Sequence, residues 1–548
     1  MNAAGTSTGL RSISGTFFMP LLSGLLLGIS FPTWPSVHLE PLAWIALAPL
    51  LLSLEHEERF GSFFRKSWMA MLLFCFISLW WVSLATLVGG ILTVFAQSLF
   101  STVPLLAFYY FRKKAGFRFA LLTLPFIWTG WEWAYMQQDL SLGWLTFGNS
   151  QANLLWMVQY ADLTGVWGIS FWLVTFNVLV LLLVRGRESF RVKAVIAAVM
   201  IVMIVAPLLY ARQVFRNAGA DTASPVIRVA MVQPNIDPHE KWSEFSPERT
   251  LSRLYSLSGQ AVSEDRPELL IWPETAIPFY IRLPENKPYM NSVQRMVERW
   301  NTPLLTGFPD EEPNAQHSGT GEAVAASGGE YAAYNASMLL RPTAGTVQIY
   351  RKMRLVPFGE RVPYMEYFPW LERFSFSMSG ISSWAKGRSE TIMRFTTRDG
   401  RPVRIANIIC YESIFPGLVS KFVSRGAQLL TLVTNDGWYG TSYGPWQHAA
   451  IGRLRCIENR RAMARCANTG VTLFYDTCGR SYAETPWWQQ SVLIAVAPLE
   501  NRITFYTAHP DLVPLVCLGV SGVLALAAVA RKRRKQEVRP PLPTARTP

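Results

Sequence analysis

The chain has 548 residues and a formal net charge of +14; half of it is hydrophobic and only 16% is charged. That charged fraction lies well below the roughly 25% that is usual in soluble proteins, which argues against a chain that is soluble throughout. The apolar residues are concentrated in 17–210 and 511–530, whereas 211–510 has the composition of a globular domain. The sequence therefore predicts an integral membrane protein with one large domain inserted before its last helix.

A helix needs roughly 20 mostly apolar residues to cross a hydrocarbon core of about 30 Å. Eight candidate spans lie near 15–33, 41–55, 67–87, 91–111, 119–137, 167–184, 194–210 and 511–530. The second span is short and could instead be interfacial or tilted. The first could be a cleaved signal peptide preceded by Arg11, but we favour retention because many spans follow and no small-residue cleavage site stands out.

The basic residues predict the orientation of these spans. They follow alternate spans, at Arg59, Arg65, Lys66, Arg112, Lys113, Lys114, Arg118, Arg185, Arg187, Arg191, Lys193 and the run RKRRK at 531–535. The other loops, 34–40, 88–90 and 138–166, contain no Lys or Arg. Both termini are therefore expected in the cytoplasm, with the inserted domain on the opposite side of the membrane. Topology and anionic lipid then explain the positive charge, so no nucleic-acid partner is predicted.

This pattern divides the chain into four regions. Seven helices are expected in 1–210, an exported domain in 211–510, an eighth helix at 511–530 and a basic cytoplasmic tail at 531–548. Within the exported domain, a small-residue linker is expected at 216–225. Helix-like segments at 247–263, 289–300 and 448–467 separate several strand-like stretches, at 226–233, 268–272, 302–307, 334–340, 404–410, 428–435 and 470–475. Their alternation predicts an α/β layered domain.

Six cysteines are present. Cys75 and Cys517 fall in predicted spans and are expected to pack there. The exported domain holds Cys410, Cys456, Cys466 and Cys478, and the sequence leaves open whether any pair of the last three forms a disulfide. There is no CxxC, the histidines are scattered, and no metal site or cofactor is predicted.

Three predicted strands are each followed closely by a residue suited to catalysis: Glu274 in IWPET, Lys352 in YRKMRLVPFGERVP and Cys410 in ANIICYES. A thiol with a pKa near about 8.5 is mostly protonated at neutral pH, so a carboxylate that takes its proton would activate it. An ammonium group could stabilise the thiolate and then the oxyanion of a tetrahedral intermediate. Alone, each residue has an ordinary explanation: a solvated Glu, a Lys in a basic run, a Cys in the core. Their joint appearance favours acyl transfer through a thioester.

WPE, the lysine before LVPFGE, and CYE, in this order, resemble the carbon–nitrogen hydrolase (nitrilase) superfamily, whose members carry a Glu-Lys-Cys triad on an α-β-β-α sandwich. With seven predicted spans before the domain and one after it, the chain resembles the apolipoprotein N-acyltransferase family of Gram-negative bacteria. VQPNIDPHEKW and TNDGWYGTSYGPWQH also match this family, as does LGWLTFGNSQ at 142–151, for which the sequence suggests no role.

The resemblance implies that Glu274 is the general base, Lys352 the stabiliser of thiolate and oxyanion, and Cys410 the nucleophile. It also implies supporting or substrate-binding roles for Trp242, Glu360, Tyr411, Glu412 and Trp438. The three aromatic residues among these could instead be core residues, and Glu360 could simply pair with a neighbouring arginine.

The implied reaction has two steps. Cys410 would accept an acyl chain from a phospholipid, typically phosphatidylethanolamine, and pass it to the α-amine of the S-diacylglyceryl cysteine that begins an apolipoprotein. The resemblance places the chain in the bacterial inner membrane, multi-pass, with its catalytic domain on the periplasmic face. A monomer is expected.

Two alternatives remain at this point. A membrane-tethered amidase or nitrilase acting on a small amide would use the same triad, although such a substrate needs no membrane site. A transporter or receptor with a ligand-binding domain is disfavoured, because the predicted spans carry few charges beyond Glu132.

Overall fold

The computed structural model describes residues 7–32, 37–220, 224–238, 246–313, 331–343, 345–368, 370 and 384–537. In the N-terminal part the helices are α1 Ser7–Ser30, α2 Ala48–Leu54, α3 Phe60–Leu79, α4 Leu87–Ala115, α5 Phe117–Tyr135, α6 Leu155–Val158, α7 Ala161–Val184 and α8 Phe190–Ala220. In the remainder they are α9 Pro247–Asp265, α10 Lys287–Trp300, α11 Pro416–Ser424, α12 Gly444–Asn459, α13 Phe505–Ala508 and α14 Leu512–Glu537.

Within the part of the chain that the structure describes, five helical segments are long and apolar enough to cross a membrane. They are Phe60–Leu84, Leu87–Ala115, Ala161–Val184, Phe190–Ala218 and Leu512–Ala530, and they cover five of the predicted spans. The predicted spans 15–33 and 41–55 coincide with the shorter apolar helices Phe17–Ser30 and Glu40–Leu54. The span predicted at 119–137 lies on α5. The count of eight membrane helices therefore stays a prediction.

Basic side chains from different loops meet at one end of the helix bundle. The Arg112 guanidinium donates to the carbonyl oxygens of Leu54 (3.2 Å) and Glu55 (2.6 Å) just beyond α2. Arg185, which follows α7, donates to the Glu55 carboxylate at 3.0 Å. Loops that the charge pattern assigned to the same side of the membrane thus lie together.

Two six-stranded sheets form the second part of the molecule. Their orders are β12-β1-β2-β3-β4-β5 and β11-β10-β9-β8-β7-β6. The strands are β1 Val226–Gln233, β2 Leu269–Ile271, β3 Leu304–Pro313, β4 Tyr331–Leu340, β5 Gln348–Arg351, β6 Met393–Thr396, β7 Pro402–Ile409, β8 Leu429–Thr434, β9 Met463–Ala467, β10 Leu473–Tyr475, β11 Ser481–Glu484 and β12 Ser491–Pro498. The Cys466 sulfur on β9 lies 3.4 Å from the Val232 carbonyl oxygen on β1, so the sheets face each other.

Helices cover the outer face of each sheet. Leu254 on α9 and Val297 on α10 pack with Leu270 on the first sheet. On the second sheet, Phe422 of α11 and Leu454 of α12 belong to the same buried cluster as the strands. The layers are therefore α-β-β-α, as the family resemblance implied.

Two sequence predictions are wrong in detail. The segment predicted as a helix at 448–467 is a helix only to Asn459, because Arg460 adopts a left-handed conformation (φ +49°) and the chain then forms β9. Arg460 is held there by a buried ion pair with Asp162 at 2.9 Å, a contact distant in sequence. The linker predicted at 216–225 is helical to Ala220, in keeping with the high helix propensity of alanine.

The membrane helices and the sandwich share a buried polar junction. Helix α7 bends at Gly165 (φ +65°), where a Cβ would lie 2.2 Å from the Tyr506 ring. The bend frees the backbone N–H of Val166, which donates to the Glu458 carboxylate at 2.9 Å. Arg455 donates to the same carboxylate oxygen at 2.8 Å. Glu458 thus ties α12 to α7.

We expect Glu458→Leu to destabilise the protein by about 3–5 kcal/mol, because it leaves the buried Arg455 charge unpaired. Thermal unfolding of the purified protein in detergent would show this as a lower Tm, with Glu264→Leu on the exposed face of α9 as the control. Equal Tm values for the two variants would contradict a stabilising role of the junction.

Candidate active site

Cys410 lies at the point where β7 ends and a short 3-10 turn, Cys410–Ile414, begins. Its φ is +50°, a left-handed conformation that is unfavourable for a residue with a Cβ. Such strain costs on the order of 1–3 kcal/mol and is characteristic of functional sites. Cys410 is not in a disulfide, and the residue as a whole is partly exposed. The sharp turn therefore sets Cys410 apart from an ordinary core cysteine.

Lys352 follows β5 and is buried, with 1% of its side chain exposed. Its Nζ donates to Glu360 Oε1 at 2.7 Å and to Glu274 Oε1 at 3.2 Å. Asn335 on β4 braces the same two carboxylates, donating to Glu274 Oε1 at 2.8 Å and to Glu360 Oε1 at 3.1 Å. One ammonium and one amide thus hold two acids that lie 86 residues apart in the sequence.

These groups and the thiol border one cavity. Its lining consists of Glu274, Thr275, Asn335, Lys352, Val356, Gly359, Glu360, Trp384, Cys410, Asn435, Trp438 and Tyr439. Glu274, Lys352 and Cys410 are therefore brought together, and Cys410 is not in a disulfide.

The charges around the thiol affect its protonation. Burial, and secondly the negative charge of Glu274, raise the pKa of Cys410, while the positive charge of Lys352 opposes them. Burial alone would lower the pKa of Lys352, but the carboxylates of Glu274 and Glu360 outweigh it and raise that pKa well above its ordinary value. At neutral pH the site therefore holds a protonated thiol near a charged ammonium.

Glu412, two residues after Cys410 in the sequence, is buried and is not among the residues that line the cavity. It accepts hydrogen bonds from the Tyr350 hydroxyl (2.6 Å), the Met353 N–H (2.7 Å) and the Ile409 N–H (2.9 Å). Burial raises the pKa of Glu412, although these donors favour its charged form. Glu412 thus clamps the segment that carries Lys352 to the strand that carries Cys410.

The remaining predicted site residues lie in different places. Tyr411 is buried and donates to the Ser141 carbonyl oxygen at 2.5 Å, in the loop after α5. Trp438 lines the active-site cavity. Glu360 pairs with Lys352, and its Oε2 also accepts from the Val356 N–H at 2.8 Å. Trp242 lies outside the described residues.

Sequence reasoning missed Asn335 and Tyr439. Asn335 is a polar residue within the apolar strand segment YNASMLL, and this pattern alone does not link it to its carboxylate partners. Tyr439 follows Trp438 in the motif TNDGWYGTSYGPWQH. Its ring centroid lies 4.7 Å from that of Trp81 in the membrane region.

A second, apolar cavity of about 260 Å³ adjoins the first. Val356, Gly359 and Tyr439 line both cavities. The apolar cavity is otherwise lined mainly by residues near the ends of α3, α4 and α5 and the loops between them: Leu79, Trp81, Val82, Ala85, Thr86, Gly89, Leu92, Thr93, Ala96, Gln97, Phe100, Tyr135, Leu140, Leu142, Trp144, Pro357, Phe358 and Tyr411. The thiol cavity and the apolar cavity are thus separated by, at most, the residues that line both.

In the described residues the six cysteines are free, and no cluster of three metal-ligating side chains occurs. Cys456, Cys466 and Cys478 are buried and unpaired with one another. Burial raises the pKa of Cys466, which suits a structural thiol.

The α-β-β-α sandwich and its Glu, Lys and Cys cavity define a carbon–nitrogen hydrolase domain, and the model of the carbon–nitrogen hydrolase family matches residues 228–504. Residues 23–179 match the apolipoprotein N-acyltransferase N-terminal domain. The chain belongs to the apolipoprotein N-acyltransferase family.

Two relatives and one solved structure illustrate these similarities. An apolipoprotein N-acyltransferase of Chlorobaculum tepidum is 80% identical over 533 residues, 97% of this chain and 100% of the relative. One of Geobacter metallireducens is 30% identical, covering 94% of this chain and 96% of the relative. The crystal structure of Saccharomyces cerevisiae Nit3, of the nitrilase superfamily, is 17% identical, covers 52% of this chain and 94% of its own, and superposes with a TM-score of 0.36.

Because Glu274 contributes to the raised pKa of Cys410, Glu274→Gln should lower that pKa and increase the thiolate fraction. We expect faster alkylation of Cys410 by iodoacetamide at pH 8, by about tenfold for each pKa unit removed. Mass spectrometry of the labelled peptide would measure the rate, with Glu264→Gln as the control. A slower or unchanged rate would show that the charge of Glu274 does not act on the thiol.

Proposed function

We propose that the chain transfers an acyl chain from a membrane phospholipid, typically phosphatidylethanolamine, to the α-amino group of the S-diacylglyceryl cysteine that begins an apolipoprotein. The observation that carries this proposal is the apolar cavity beside the Cys410 cavity, because the two share Val356, Gly359 and Tyr439 as lining residues. The family membership supports the nature of the acceptor. Hydrolysis of a small amide would need no such apolar cavity.

In the first step the Cys410 sulfur attacks the ester carbonyl carbon of the phospholipid while Glu274 takes the thiol proton. Lys352 stabilises the negative charge that develops on the sulfur and then on the carbonyl oxygen. The ester C–O bond breaks, Glu274 returns its proton to the departing oxygen, and a lysophospholipid leaves. The acyl chain remains on Cys410 as a thioester.

In the second step the α-amine of the acceptor attacks the thioester carbonyl. The neutral amine loses a proton to Glu274 as the C–N bond forms. The C–S bond then breaks and Glu274 passes that proton to the departing sulfur, which restores both the thiol and the carboxylate. Glu360 and Asn335 keep Lys352 and Glu274 in place through both steps, since they contact these residues directly. A covalent enzyme intermediate of this kind predicts ping-pong kinetics.

The proposal includes a topology. We propose eight membrane helices, seven of them in 1–210 and one at 511–530, with the catalytic domain of 211–510 at the periplasmic face of the bacterial inner membrane and the basic tail of 531–548 in the cytoplasm. A monomer suffices, because Glu274, Lys352 and Cys410 all come from one chain. A site against the membrane spares the donor the cost of exposing its acyl chain, about 0.8 kcal/mol per CH₂.

Incubation with phospholipid carrying a labelled acyl chain should give a labelled thioester on Cys410 in the wild type. No label is expected on Cys410→Ala, and little on Lys352→Arg, because a planar guanidinium does not replace a buried ammonium. Glu274→Gln should fail here even though its thiol alkylates faster, because no group returns a proton to the departing ester oxygen. A stable thioester on Glu274→Gln would exclude Glu274 as the base.

The apolar cavity is the proposed site of the acyl chain. Ala96→Phe on α4 should shorten it and shift the preference towards donors with shorter chains, by about fourfold for each CH₂ displaced. Competing phospholipids that differ only in chain length would measure the shift. Leu99→Phe, on the same helix but 47% exposed and not part of the cavity lining, is the matched control. Identical preferences for all three proteins would place the acyl chain elsewhere.

A further inference from the structure

His448 contacts the nucleophile's backbone and has no part in the steps above. It lies in the first turns of α12 and is 3% exposed. Its Nε2 is 3.0 Å from the Cys410 carbonyl oxygen and 2.8 Å from the Ser413 hydroxyl. The Ser413 hydroxyl also donates to the same carbonyl at 3.0 Å. Two side chains thus converge on the peptide group of the strained residue.

The other side of the imidazole determines its tautomer. Arg465 Nη2 lies 2.9 Å from His448 Nδ1, and a guanidinium can only donate, so Nδ1 must accept. Arg465 is itself fixed by Asp436, whose carboxylate accepts from it at 2.8 and 2.9 Å. Burial lowers the pKa of His448, in keeping with a neutral ring. The hydrogen is therefore on Nε2, where it is shared between the Ser413 hydroxyl oxygen at 2.8 Å and the Cys410 carbonyl oxygen at 3.0 Å. Because the Ser413 hydroxyl itself donates to that carbonyl, both routes lead to the Cys410 peptide group.

The membrane region supplies the packing for this ring. Trp144 lies against His448, with ring centroids 5.4 Å apart and an interplanar angle of 31°. The Trp144 indole donates to Gln447 Oε1 at 2.8 Å. Trp144 belongs to the segment 142–151, which is anchored to α5 by the hydrogen bond from the Phe147 N–H to Glu132 at 2.7 Å. The sequence alone suggested no role for this segment.

We propose that His448 is a positioning residue for Cys410, an inference that rests on the proposed function. The Nε2–H of His448 holds the nucleophile in the left-handed turn, and Trp144 of segment 142–151 fixes the ring. The sulfur then stays in the cavity with Glu274 and Lys352. Loss of the hydrogen bond lets the turn relax and moves the sulfur away from them.

Three substitutions of His448 separate the hydrogen bond from simple packing. Glutamine can place an amide N–H where Nε2 lies, asparagine is too short to reach the Cys410 carbonyl, and leucine fills space without a donor. We expect His448→Gln to retain most of the kcat for thioester formation, and His448→Asn and His448→Leu to lose about 100-fold, the effect of a misplacement near 1 Å. KM for the phospholipid should stay unchanged, since the apolar cavity is not altered. His509→Asn, at an exposed histidine, is the control.

The rate of Cys410 alkylation, measured as a function of pH, is a readout that does not depend on acyl transfer. Its midpoint is obtained after subtracting the labelling of the other cysteines, which Cys410→Ala measures. The midpoint should be the same in the wild type and His448→Gln, and should fall towards the ordinary thiol value near about 8.5 in His448→Asn and His448→Leu, as the sulfur leaves its buried position. If the wild type forms no thioester, the proposed function fails and the midpoint alone decides the role of His448. Equal rates and midpoints in the Gln, Asn and Leu variants, at equal Tm, would overturn the proposal.

The part assigned to Trp144 has its own test. Trp144→Leu should lower kcat for thioester formation, and combining it with His448→Asn should cause no further loss, because both act on the same turn. A KM effect alone, or losses that multiply in the double variant, would show that Trp144 only lines the apolar cavity.

Discussion

The buried ammonium of Lys352 is the feature on which the site depends. A charge with 1% of its side chain exposed is costly unless it is paired and hydrogen-bonded, and here two carboxylates meet it. Those carboxylates come from separate segments, so the ion pairs fix the loop after β2, the end of β5 and the turn at Glu360 relative to one another. Asn335 braces the same acids from β4. The chemistry of the site and the rigidity of its frame thus share one set of contacts.

The same frame connects the site to the membrane region. The segment after Lys352 lines both cavities through Val356 and Gly359, so an ester near the thiol has an apolar space beside it for its chain. Tyr411, next to the nucleophile, reaches the loop after α5. A hydrolase domain that acts on small molecules needs neither contact. Under the proposed function the membrane helices would thus help to bind the substrate as well as anchor the domain.

The sequence revealed the parts of the site that depend on local pattern. Glu274, Lys352 and Cys410 each lie shortly after a strand-like stretch in a recognisable motif, and the sandwich followed from the resemblance these motifs carry. Asn335 and the limits of α12 could not be predicted in the same way. The amide of Asn335 is informative only once its carboxylate partners are known. Helix α12 ends at Asn459, and the next residue, Arg460, pairs with Asp162 about 300 positions earlier in the chain.

The residues of the CYE motif show how strain is maintained. Cys410 holds a left-handed conformation that its own chemistry disfavours, so surrounding contacts must impose it. Glu412 binds the N–H of Ile409 on one side of the cysteine, while Ser413 and His448 bind its carbonyl on the other. The peptide groups on both sides of Cys410 are therefore held by contacts within the protein itself. A thiol held in this way can be presented to an ester without reorganisation of its own backbone, which is why buried polar residues behind the cavity matter as much to the chemistry as those that line it.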